Sequence, residues 1–431
     1  MEAQAGAVKR WASQRLWARF GAGRWARLAV IAAVVGPGII TANVDNDAGG
    51  ITTYSLAGAQ FGYGLLWTLI PITVALVVIQ EMCARMGAVT GKGLSDLIRE
   101  QYGVKATFYV MVALLFANLA NTVAEFAGVA AALEIFGVTK YISIPVAALF
   151  VWWLIVYGTY RRVENVFLIA CLFYVAYVVS GFLAHPAWTE VLTHMVVPKF
   201  SWRSDYLVML IGVVGTTIAP WMQFYLQAAV VEKGVTAEDY RYSRYDVIVG
   251  CVVAVVVAMF IMVACAATLY QEHISIETAK DAALALAPLA GKYCSGLFAF
   301  GLFNASLFAA SVLPLSTAYY VCEGFGWETG IDNKFRDAPQ FFTLYSALIA
   351  LGSVVILIPD FPLLAVMYLS QVLNGILLPF VLIFILLLIN RTDLMGKYVN
   401  SRLYNVIAWS SSAIMIILTV AMVVSLLVGA G

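Results

Sequence analysis

The chain has 431 residues, of which 63% are hydrophobic and 11% charged, with 25 Lys and Arg against 24 Asp and Glu. A soluble domain carries charge on about a quarter of its residues. This composition, with a mean hydropathy of +0.91, excludes a soluble enzyme, a disordered chain and a nucleic-acid binder that relies on a basic surface.

A helix needs about 20 apolar residues to cross a bilayer. Eleven stretches qualify: 28–60, 64–84, 106–133, 141–160, 165–183, 206–231, 247–270, 293–322, 338–359, 361–389 and 403–428. None shows the ten-residue alternation of a membrane barrel, so the expected class is an all-α integral membrane protein with eleven transmembrane helices. A basic arm over residues 1–27 precedes the first stretch, which is too long for a signal h-region and reads as a retained helix. If that arm is cytoplasmic and the loops alternate, 20 of the 25 cations fall inside. Only Lys140, Lys199, Arg203, Lys280 and Lys292 fall outside. Cations favour cytoplasmic loops, so the expectation is a multi-pass cell-membrane protein with its N-terminus inside and its C-terminus outside.

The six cysteines show no Cys-x-x-Cys spacing and read as buried thiols. His185, His194 and His273 all fall in outside loops, which leaves no histidine within the membrane.

Residues 28–183 form one five-helix unit and 206–389 a second of opposite polarity, with 403–428 as an additional eleventh helix. Two units of opposite polarity suit an inverted repeat. In such transporters, helices interrupted at matching places mark the binding site. The first helix of the first unit contains Asp45-Asn46-Asp47-Ala48-Gly49-Gly50, and the first helix of the second contains Gly215-Thr216-Thr217-Ile218-Ala219-Pro220-Trp221. Gly-Gly weakens the helix and Pro220 removes a donor, so carbonyls are freed at both places. Free carbonyls at membrane depth belong where they line a cavity. A carboxylate beside them makes the occupant a cation.

Four acids lie within the stretches: Asp45, Asp47, Glu81 and Glu125. Each costs roughly 2.5–3.5 kcal/mol to insert and needs a partner, a proton or a task. Asp47 adjoins the break and is the candidate cation ligand, with Asp45 as a vestibule acid or polar cap. Glu81 precedes Arg85 by four residues, the spacing of a helical ion pair. Glu125 has two readings, a relay for protons or cations and a protonated member of a cluster with Asn118, Asn121 and Thr122. On the tenth helix, Gln371 and Asn374 put two amides on one face, available to a hydrated ion or to a neighbouring helix.

The run Asp47 to Gly50, then Ala57-Gly58-Ala59, Phe61-Gly62-Tyr63 and Leu65-Leu66-Trp67, resembles the first helix of the NRAMP divalent-metal transporters. Ala84-Arg85, Thr90-Gly91-Lys92, Ala124-Glu125, Pro220, Ser370-Gln371 and Leu378-Pro379-Phe380 extend the resemblance in order along almost the whole chain. It implies a LeuT-type 5+5 inverted repeat with broken helices 1 and 6. It also places Asp47, Gly50, Thr216, Ala219 and Gln371 around the metal, with Thr216 at the position whose carbonyl is a ligand. Asp45, Ala48, Gly49, Thr122, Glu125, Pro220, Trp221, Gln223 and Asn374 then line the cavity or its approaches.

The departures from that family are specific. Its Asp-Pro-Gly-Asn reads Asp47-Ala48-Gly49-Gly50, and its Met-Pro-His reads Ala219-Pro220-Trp221. The histidines that the family links to proton transport correspond to Trp221 and Leu226. The first acid of its Asp-x-x-Glu pair corresponds to Thr122, while Glu125 is retained. This pattern resembles the NRAMP-related magnesium transporter branch.

Ligand chemistry points the same way. A thioether favours transition metals over hard ions, and here it is gone. Mg²⁺ dehydrates reluctantly and keeps several waters beside one or two carboxylates, which suits a roomier all-oxygen site. Loss of the membrane histidines removes groups that accept a proton near neutral pH. The expectation is alternating-access transport of partly hydrated Mg²⁺ and Mn²⁺ without proton coupling. The alternative is a proton-coupled Mn²⁺/Fe²⁺ importer of the ordinary NRAMP type. The expected partners are the ion as cargo and the lipid bilayer, with a monomeric chain, no cofactor, no nucleic acid and no enzymatic activity.

Overall fold

A computed structural model describes residues 41, 44–157, 175–286, 291, 294–331 and 333–429. The basic arm, most of the first half of the first stretch and the start of the fifth lie outside the described residues. Leaving aside short turns of helix, the described helices are α1 (Ala48–Phe61), α2 (Leu69–Thr90), α3 (Leu94–Ile135), α4 (Lys140–Val156), α5 (Val175–Leu183) and α6 (Trp188–Val196). They continue with α7 (Ser204–Thr217), α8 (Pro220–Glu232), α9 (Tyr240–Cys265), α10 (Cys294–Phe325), α11 (Pro339–Ile356), α12 (Leu363–Ile389) and α13 (Arg402–Gly429).

Among the described residues, eight helical stretches are long and apolar enough to cross a membrane. One of them, Ala48–Thr90, runs through two of the expected segments, and Lys140–Val156 is a shorter apolar helix. Helix ends follow local chemistry. Gly62 (φ 54) closes α1 and Gly91 (φ 65) closes α2, each in a conformation that costs glycine little. Pro220 and Pro339 open α8 and α11 at the first turn, where a missing N–H costs no hydrogen bond.

Three expected boundaries shift, the seventh segment beginning at Tyr240 rather than 247. The second segment runs to Thr90 rather than 84, so Arg85 lies inside a helix. The third begins at Leu94 and carries a kink at Gly103 (φ 79, ψ 170), which separates a short leading helix from the span proper.

α3 packs along α10 and α12, α7 packs along α12, and α1 lies among α9, α12, α7 and α3. Lipid supplies little drive for helices to associate, so close backbone approach has to supply packing. Gly215 of α7 sits directly on the backbone of Gln371 and Gly375 in α12, with no room for a Cβ. That contact brings the second break against the polar face of α12.

Candidate functional site

The first break is a turn over residues 45–47, after which the helix restarts at Ala48. Asp47 is its N-cap: the backbone is extended (φ −72, ψ −170) and Oδ1 accepts from the Gly50 N–H at 2.7 Å. The Ala48 N–H donates to Glu125 Oε2 of α3 at 3.1 Å. Two carboxyl groups therefore satisfy two of the free donors of one helix start, where the helix dipole favours negative charge. Asp47 and Glu125 are thereby brought to the same helix turn.

Asp45 is buried, and its Oδ1 has no hydrogen-bond partner among the described residues. Asn46 turns away and donates to the Ala254 carbonyl of α9 at 3.2 Å.

The second break separates α7 from α8. Ile218 (φ −125, ψ 63) and Ala219 (φ −68, ψ 139) are non-helical, and Pro220 has no N–H to give the Thr216 carbonyl one turn back. The two breaks face each other. Thr216 Oγ1 lies beside Gly50, and the Tyr54 and Thr217 hydroxyls share a hydrogen bond of 2.7 Å. The Ala219 carbonyl is engaged by Gln223 Nε2 at 3.3 Å, while Gln223 Oε1 meets the Cys83 thiol.

Gln371 of α12 lies directly over Gly49, with Nε2 toward the break. Its Oε1 accepts from Asn374 Nδ2 at 3.0 Å. The amide oxygen expected to reach an ion is thus turned to a neighbour, and ligation requires the carboxamide to swing. Asn374 and Asn121 bond reciprocally at 3.0 and 3.1 Å, and Asn121 continues to Asn118 and so to Thr317 of α10. The result is a ladder of neutral amides leading away from the break.

Asp47, Thr216, Ala219 and Gln371 are at most 4% exposed, so the site is closed in this conformation. Ala48, Gly49, Gly50, Pro220 and Trp221 are buried around it. Thr122 does not join them: its hydroxyl bonds the Asn118 carbonyl of its own helix and its methyl lies against Gly352 of α11.

Glu81 pairs with Arg85 at 3.2 Å, and Arg85 also holds the Tyr398 and Val399 carbonyls. Arg85 thus ties α2 to the segment before α13, and Glu81 balances its charge. Two further buried acids, Asp246 in α9 and Glu323 in α10, stand outside the four expected from sequence. Glu323 extends the buried stripe of Ser316, Tyr319 and Tyr320 by one turn, and that helical period is the signal that points to it.

The sequence profile described as natural resistance-associated macrophage protein-like (Nramp) matches residues 38–425. The chain belongs to the Nramp family. A divalent metal cation transporter MntH of Erwinia tasmaniensis is 28% identical over 380 residues, covering 86% of this chain and 89% of that protein. A solved manganese transporter of Eremococcus coleocola superposes with a TM-score of 0.77 at 22% identity, over 94% of this chain and 88% of the other. The structure of MhsT in complex with L-phenylalanine superposes with a TM-score of 0.57 at 13% identity, over 90% and 97%. These likenesses identify the LeuT-type fold. This Nramp chain is a multi-pass membrane transporter and not an enzyme.

Proposed function

We propose that this Nramp protein carries Mg²⁺, with Mn²⁺ as a second cargo, as a partly hydrated ion by alternating access and without proton coupling. The observation that carries the proposal is the donor set at the facing breaks. Asp47 supplies charge, Asp45 and Thr216 supply oxygens, and position 219 carries a methyl group. Among the described residues no cluster of three or more His, Cys, Asp or Glu could hold a metal. An ion that keeps much of its water suits this sparse oxygen site better than one needing a soft ligand. The neutral ladder from Gln371 to Asn118 offers no titratable side chain for export of a proton. Two charges crossing 100 mV gain roughly 4.6 kcal/mol, enough to drive uptake without a second ion. In this proposal the N-terminus is cytoplasmic and the C-terminus extracytoplasmic.

The alternative, a proton-coupled Mn²⁺/Fe²⁺ importer, draws support from Glu125, a buried carboxyl group bonded to the Ala48 N–H beside Asp47. Flux of Mg²⁺ and Mn²⁺ into proteoliposomes, with internal pH recorded, separates the two. Uncoupled transport gives flux with no internal acidification, and Glu125→Gln, which keeps an acceptor for the Ala48 N–H, retains it. Acidification that tracks metal entry and disappears in Glu125→Gln would establish the alternative.

A further inference from the structure

The ends of α2, α9 and α13 and the segment before α13 border an open cavity of about 350 Å³ that shares no lining residue with either break. Arg85, Arg244 and Lys397 line it against a single carboxylate, Glu81. Glu81 bonds Arg85 and lies within electrostatic reach of Arg244. Arg244 donates to the Tyr404 hydroxyl at 3.0 Å, and Lys397 lies 5.3 Å from the centre of the Tyr398 ring. Neither Arg244 nor Lys397 has a carboxylate within ion-pair distance among the described residues. The buried Arg85 Nε also has no hydrogen-bond partner there.

Surplus cations around a concavity fit a phosphate, whose several oxygens accept from guanidinium and ammonium donors together. The cavity lies at the end of the bundle whose loops carry most of the cations, which in the proposed orientation faces the anionic leaflet. Beside it, α9 exposes Tyr245, Val249 and Val252, and α13 exposes Leu403 and Val406. These apolar side chains offer a surface for acyl chains.

We propose that this cavity binds the phosphate of an anionic phospholipid headgroup, with the acyl chains along α9 and α13. A lipid held there links α13 to α2 and α9.

The test uses the full chain in micelles doped with phosphatidylglycerol or phosphatidylcholine, with bound lipid counted by native mass spectrometry. Phosphatidylglycerol should be retained preferentially, and Arg244→Ala/Lys397→Ala should cut that retention on the order of thirty-fold. Both side chains are exposed, so the doubly substituted protein should melt like the wild type in phosphatidylcholine. Inorganic phosphate is the second arm. Phosphate binding lost in the double variant, without a lipid preference, would keep the phosphate site but assign it to the free anion. Equal retention of both lipids, unchanged by the double substitution and with no phosphate binding, would overturn the proposal.

Discussion

The backbone carbonyl of Asp45 lies against Gly50, in the space where a side chain at position 50 would begin. The obstacle to a larger residue is therefore backbone at the break itself. We expect Gly50→Ala to destabilise the fold by about 1–3 kcal/mol, as overpacking does, and to lower divalent flux. Thermal unfolding and proteoliposome flux check this. Unchanged values in both would mean that the break accommodates the methyl group freely.

Asp47 serves as a helix cap and as the proposed ion ligand, and one substitution separates these roles. Asparagine caps a helix about as well as aspartate, so Asp47→Asn should keep the Gly50 hydrogen bond while removing the charge. The expected outcome is a melting temperature close to wild type with divalent flux abolished. Flux at the wild-type level would remove Asp47 from the ion path.

The second break is legible in the sequence because its cause is local: Pro220 interrupts a helix wherever it packs. Gly49-Gly50 mark the neighbourhood of the first, but both lie in the first turn of α1 and the chain turns at residues 45–47 instead. The Glu81–Arg85 pair is legible for the same reason, since four residues on one helix set its geometry. The approach of the Asp45 carbonyl to Gly50 is not, because it depends on how the chain turns through residues 45–47. The orientation of Gln371 toward Asn374 depends on Asn121 of a different helix, which no spacing along α12 encodes. Glu323 falls just past the apolar run, so only the helical period of Ser316, Tyr319 and Tyr320 points to it.

The reciprocal Asn121–Asn374 bond predicts a non-additive pair. Asn374→Leu leaves the Asn121 amide buried and short of its partner, at a cost of about 1–3 kcal/mol. Substituting leucine at both positions removes both polar groups and should recover much of that loss. Melting temperatures of the two single variants and the double variant form the cycle. Simple additivity would show that the two amides do not depend on each other.

Ala219 offers the most direct test of ion choice. Its side chain is a methyl group at the N-cap of α8, three residues after Thr216, whose carbonyl Pro220 cannot serve as a donor. Ala219→Met introduces a soft thioether without disturbing the Asp45–Gly50 contact, whereas asparagine at position 50 would have to displace backbone. We therefore expect Ala219→Met alone to move competition toward Mn²⁺ and Cd²⁺ over Mg²⁺, by about tenfold if the thioether adds ~1.4 kcal/mol. Competitive flux in proteoliposomes measures the ratio. An unchanged ratio would place selectivity in the closed shape of the site rather than in the chemistry of position 219.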